Sequence, residues 1–139
     1  MSEAEQRRSK ILVAIGPDDD GRALAASLRD VGMEVVYMPR LRTSSLVKLA
    51  LEEDVDVVAT ASAADSLPEL TAALRRTGLG HVRVVSCGIL PSETETALLQ
   101  AGVARILHPR TCREDIVAEI ARLAREARGA CTAGAAESA

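Results

Sequence analysis

The stretch KILVAIG (10–16) decides how the rest of the chain is read. A lysine opens it, an unbroken apolar and largely β-branched run follows, and Gly16 with Pro17 closes it. Such a run predicts a short strand buried on both faces. Strands of that kind belong to parallel sheets covered by helices on both sides, and parallel neighbours need helical crossovers. The next segment supplies one. GRALAASLRDVG (21–32) places Leu24, Leu28 and Val31 at helical spacing, with Gly32 positioned to end the helix.

The alternation then repeats along the chain. MEVVYM (33–38) reads as strand two. SSLVKLALEED (44–54) reads as a helix capped by Thr43 or Ser44, with Leu46, Val47, Ala50 and Leu51 as its apolar stripe. VDVVATA (55–61) is strand three and PELTAALRRTG (68–78) the helix after it. HVRVVSCG (81–88) is strand four, SETETALLQAG (92–102) a helix, and ARILHP (104–109) strand five. Thr111 is placed to cap a final amphipathic helix, CREDIVAEIARLAREAR (112–128), with Ile116, Ile120 and Leu123 inward. Five strands alternating with five helices predict an α/β, flavodoxin-like (Rossmann-type) parallel sheet of order 2-1-3-4-5, with helices on both faces. Residues 10–128 form the expected domain, between a flexible N-terminus (1–9) and a flexible tail (129–139).

Composition narrows the function. The 139 residues are 47% hydrophobic and 27% charged, enough for a packed core and unlike a disordered chain. A net charge of −3 and a single aromatic residue, Tyr37, exclude the basic patch and stacking platforms of a nucleic-acid binder. The opening MSEAEQRRSK is charged where a secretory signal is apolar, and no stretch approaches the ~18 apolar residues of a membrane span. A soluble, cytoplasmic protein is expected. Cys87, Cys112 and Cys131 show no CxxC spacing, which predicts reduced thiols and no bound metal.

In a sheet of this order, ligands sit beyond the carboxyl ends of the strands. The loops there hold the candidate residues. Asp18, Asp19 and Asp20 suit capping and the positive end of a helix, or a Mg²⁺ pocket, and they oppose a phosphate at that point. Neither GxGxxG nor GxxxxGK[ST] occurs, so dinucleotide and ATP sites of those types are excluded. A phosphoacceptor receiver would need an aspartate ending strand three and a lysine ending strand five; the chain has Ala59-Thr60-Ala61 and His108 there, with Asp56 at the opposite end of strand three. The acidic residues after strand one and Ser86, where a receiver has a Ser/Thr ending strand four, do match. Cys87 is expected to be an inert buried thiol. His81 precedes strand four, on the edge away from the site.

Five stretches carry a family resemblance: SKILVA (9–14), LRDVGMEVVYMPRLRT (28–43), LALEEDVDVVATAS (49–62), GILPSE (88–93) and AGVARILHPRT (101–111). Through them the chain resembles the cobalamin (B12)-binding domain and small subunit of the methylmalonyl-CoA and isobutyryl-CoA mutase family, over residues 9–124. The resemblance implies a corrinoid held at the strand ends with its nucleotide tail inserted at the sheet, and a mutase-like large subunit as partner. It also implies an Asp-x-His-x-x-Gly loop after strand one, whose histidine ligates cobalt, a Ser-x-Leu after strand three, a Gly-Gly after strand four, and a Gly-Pro-Gly-like loop after strand five.

This sequence departs at each point. GPDDDGR (16–22) has no histidine and is several residues shorter. The other positions read Ala61-Ser62-Ala63, Cys87-Gly88 and His108-Pro109-Arg110. The resemblance therefore places a cobalamin site at Asp18, Asp20, Ala61, Ser62, Ala63, Cys87, Gly88 and His108, without the loop ligand. Three readings follow: a degenerate cobalamin-binding-like domain acting as a regulatory or assembly partner of a mutase and not catalytic alone; a corrinoid binder that keeps the cofactor's own base, or has His108 nearby; and a pseudo-receiver signalling module. A homodimer through a helix face is compatible with each.

Overall fold

The computed structural model describes residues 9–15, 21–38, 42–61, 67–88, 90–108 and 111–138. Its strands are β1 (Lys10–Ala14), β2 (Glu34–Tyr37), β3 (Val57–Ala61), β4 (Arg83–Cys87) and β5 (Arg105–Leu107). Its helices are α1 (Gly21–Asp30), α2 (Thr43–Glu53), α3 (Leu67–Arg76), α4 (Ser92–Gln100) and α5 (Arg113–Ser138). All strand pairs are parallel and the order is β2-β1-β3-β4-β5, as the sequence predicts.

Alternation along the strands divides the core in two. Ile11, Val13, Ile15, Val57, Ala59 and Val85 face α1 and α5, meeting Leu24, Leu28, Ile120 and Leu123. Leu12, Val58 and Val84 face α2, α3 and α4, meeting Leu46, Ala50, Leu70, Leu74 and Leu98. Successive side chains of a strand point to opposite faces, so a wholly apolar strand is the signature of a sheet buried twice. At roughly 1.5–3 kcal/mol per fully buried large apolar side chain, these two layers carry most of the folding free energy.

Several local expectations are corrected. Arg42, extended at φ −74° and ψ 159°, occupies the cap position of α2 and makes no side-chain capping bond; Thr43 is already helical. Cys112 rather than Thr111 precedes α5, and its carbonyl accepts the Ile116 N–H at 3.1 Å. Leu51 is 53% exposed, since Leu46, Val47 and Ala50, with Leu49 beside them, cover the sheet. Val31 is 60% exposed: α1 ends at Asp30, Gly32 takes φ +93°, and Val31 turns to line an apolar cleft with Met33 and Val117. The backbone of α5 continues to Ser138 instead of ending at Arg128. Alanine, the strongest helix former, recurs after Arg128, and this favours continuation despite Gly129 and Gly134, each about 1 kcal/mol poorer than alanine. No described helix is long and apolar enough to cross a membrane.

Candidate functional site

The candidate site is the edge formed by the carboxyl ends of β1, β3, β4 and β5. Register aligns it: Ala14 lies level with Thr60, Thr60 with Ser86, Ala61 with Cys87, and Cys87 with Leu107. Beyond the last pair, the Gly88 N–H donates to the Leu107 carbonyl at 3.0 Å, tying the loop after β4 to β5. His108 follows β5, is exposed, and accepts the Thr111 N–H on its backbone carbonyl at 2.9 Å. Four of the expected site residues, Ala61, Cys87, Gly88 and His108, are thus brought to one edge on adjacent strands. Asp18, Asp20, Ser62 and Ala63 lie outside the described residues.

The chemistry of this edge is quiet. Burial pushes the Cys87 thiol up to about 11, with the Arg113 charge pulling weakly the other way, so it is a neutral thiol at physiological pH. Cys87 and Cys112 are both free thiols. No group of three His, Cys, Asp or Glu side chains suited to a metal exists among the described residues. Asp56 stands at the amino end of β3, where its carboxylate accepts the Lys10 backbone N–H at 3.0 Å. It is a structural acid, on the wrong edge for a phosphoacceptor.

What the sequence did not show is how the hydroxyls at the strand ends are paired. Thr60 and Ser86 are side by side on the α2–α4 face. The Thr60 hydroxyl donates to the Val85 carbonyl at 3.3 Å, whereas the fully buried Ser86 hydroxyl has no partner. The Tyr37 hydroxyl, ending β2, is also buried without one. A buried polar group left unpaired costs about 1–3 kcal/mol, so these hydroxyls weaken the carboxyl edge. A polar residue inside an otherwise apolar strand was the available signal. At the β1 end, a Cβ on Gly21 would stand 2.0 Å from the Ile15 carbonyl oxygen, so α1 begins pressed onto the strand terminus.

The fold is that of a flavodoxin-like domain, with small and buried hydroxylated residues at the carboxyl ends of its strands. No family model matches the chain. It is 46% identical over 117 residues to the pivalyl-CoA mutase small subunit of Xanthobacter autotrophicus, covering 81% of this chain and 79% of that one. It is 32% identical over 120 residues to the 2-hydroxyisobutanoyl-CoA mutase small subunit of Aquincola tertiaricarbonis, covering 83% and 88%. Against the methylmalonyl-CoA mutase of Escherichia coli the identity is 33% over 126 residues, covering 84% of this chain and 18% of that longer one. The chain belongs to the family of acyl-CoA mutase small subunits. Among solved structures, a cobalamin-binding protein from Desulfitobacterium hafniense shares the fold at TM-score 0.69 and 21% identity, covering 84% of this chain and 60% of that one. The receiver domain of NarL from Mycobacterium tuberculosis does so at 0.70 and 20%, covering 86% and 98%.

Proposed function

We propose that this chain is a small subunit that works with a mutase-like large subunit, is not catalytic alone, and has a corrinoid site reduced by loss of its axial imidazole. Its role is assembly and regulation of the partner. The observation that carries this reading is the closure at β1: α1 starts against the Ile15 carbonyl, and residues 16–20, which join the two, contain no histidine. Cobalt ligation by imidazole needs a histidine at hand. The histidine that follows β5, His108, is separated from β1 by β3 and β4 in the sheet. The residues present thus do not fit the axial half of a corrinoid site, and no chemical step is routed through the group. Two relatives are named mutase small subunits, a name that implies a larger partner, and the division assigned here leaves the acyl-CoA chemistry to that partner.

The test is co-purification and sedimentation with a mutase large subunit from the same organism. A defined complex, inactive when either component is omitted, is expected. A chain that stays monomeric with the large subunit at micromolar concentration contradicts the reading.

A second reading is favoured by the buried, unpartnered Ser86 hydroxyl beside Thr60 and by Gly88, which put small residues and a spare polar group at the β3 and β4 ends on the α2–α4 face. There the chain holds a corrinoid by its nucleotide tail while the cofactor's own base stays on cobalt. Hydroxocobalamin retained through desalting, and lost in Ser86→Ala, supports it. A colourless protein in both cases refutes it.

A further inference from the structure

On the opposite edge of the sheet, we propose that the cleft between α3, β4, β5 and α5 binds a phosphate dianion, as inorganic phosphate or as the phosphate of a small ester. The inference is independent of the corrinoid reading. The cleft encloses about 340 Å³ and is walled by four arginines: Arg75 from the end of α3, Arg83 opening β4, Arg105 opening β5, and Arg122 from α5.

Two of these cations are already engaged. The Arg105 Nε donates to Glu119 at 2.9 Å, and Arg122 bonds Glu119 and also Glu126, the latter at 2.7 Å. No side chain hydrogen-bonds or ion-pairs the Arg75 or Arg83 guanidinium among the described residues. Four guanidinium groups against two carboxylates leave a surplus of two positive charges. A phosphate group carries about −1.5 to −2 at pH 7, and the arginine fork matches its oxygens in pairs.

The cleft is also built to hold Arg75. Its Nη2 lies 2.2 Å, and its Cζ 3.2 Å, from where a Cβ on Gly102 would stand, so the guanidinium rests directly on a bare backbone. Gly102 is at φ +109°, which independently favours glycine. The Thr71 hydroxyl, 2.9 Å from the Ala101 carbonyl, fixes that turn to α3. Leu74, Leu79, Val82 and Leu123, all buried, floor the cleft and shield one side from water, which strengthens charge-assisted bonds.

The full chain is titrated with potassium phosphate against potassium chloride at matched ionic strength, following backbone amide shifts. Saturable shifts at residues 75–84 and 101–105 are expected. Removing both unpaired cations in Arg75→Gln/Arg83→Gln should weaken binding roughly tenfold or more, given the strength of charge-assisted bonds. Gly102→Ala, which displaces the Arg75 guanidinium, should weaken it too, while Arg76→Gln, exposed and outside the cleft, leaves it unchanged. A parallel titration with adenosine monophosphate separates the sources: tighter binding assigns the site to a phosphate ester, equal binding to inorganic phosphate. Shifts that match those in chloride, or an affinity unchanged in the double variant, overturn the proposal.

Discussion

The two edges of one sheet contrast sharply. At the amino edge the strand starts are charged and mostly satisfied: Lys10 donates its backbone N–H to Asp56 at 3.0 Å and its ammonium reaches Glu53 at 3.3 Å and Glu34 at 3.6 Å. Arg105 meets Glu119 at the far end of the same edge. At the carboxyl edge the described strand ends are small, neutral or hydroxylated, and two buried hydroxyls lack partners. The lesson is a division of labour. Ionic bonds that register the strands gather at the amino edge, whereas the described carboxyl edge keeps buried hydroxyls unpaired at a cost in stability.

The largest expected effect breaks the carboxyl edge. Gly21→Leu drives a side chain into the Ile15 carbonyl, and overpacking of this kind should destabilise by about 3 kcal/mol, seen as a lower denaturation midpoint. An unchanged midpoint would mean that α1 does not close on β1 as described. Next, Asp56→Ala removes a 4%-exposed carboxylate from the Lys10 N–H and should lose about 1.5–3 kcal/mol in urea unfolding. A loss below that range would make the amino edge less important than its bonding suggests.

Smaller effects sharpen the contrast. The Cys87 thiol is raised from its ordinary 9.0 to about 11 by burial, so its folded-state contribution is complete below pH 9 and is lost as pH rises toward 11. Stability should decline there by up to about 1.4 kcal/mol per pH unit, and Cys87→Ala should flatten that slope. Ser86→Ala should leave the isolated chain as stable or up to about 1 kcal/mol more stable, because it removes a buried hydroxyl with no partner. At the amino edge, the Arg122 hydrogen bond holds the Glu119 carboxyl below its ordinary range, with desolvation opposing it. Glu119→Gln, which removes the acceptor shared by the exposed Arg105 and Arg122, should shift the midpoint only slightly, and protonation at acid pH should do the same.

The sheet was legible because its signals are local. Unbroken apolar runs such as ILVA in β1 and VVA in β3 fall between helices of 3.6-residue period, and right-handed crossovers leave few strand orders. Helix starts were less legible: Thr43 and Thr111 are good capping residues, yet packing set the cap positions at Arg42 and Cys112. Val31 looked inward by spacing, but the left-handed turn at Gly32 ended the helix first. Of the site, the placement of Cys87, Gly88 and His108 on one edge followed from strand order. The orphaned hydroxyls did not, because whether Ser86 finds a partner depends on its neighbours across β3 and β5. The arginine cleft was invisible for a related reason: Arg75, Arg83, Arg105 and Arg122 are dispersed along the chain and meet only once β4 and β5 pair.

The central claim, a mutase small subunit whose corrinoid site has lost its imidazole ligand, is tested most directly by visible absorbance. Purified chain is titrated with hydroxocobalamin and adenosylcobalamin and then desalted. The account predicts no imidazole-coordinated spectrum: any cofactor present keeps its own base on cobalt, and His108→Ala changes nothing. A shifted spectrum with the cofactor's base displaced, abolished by His108→Ala, would show a relocated ligand and contradict it.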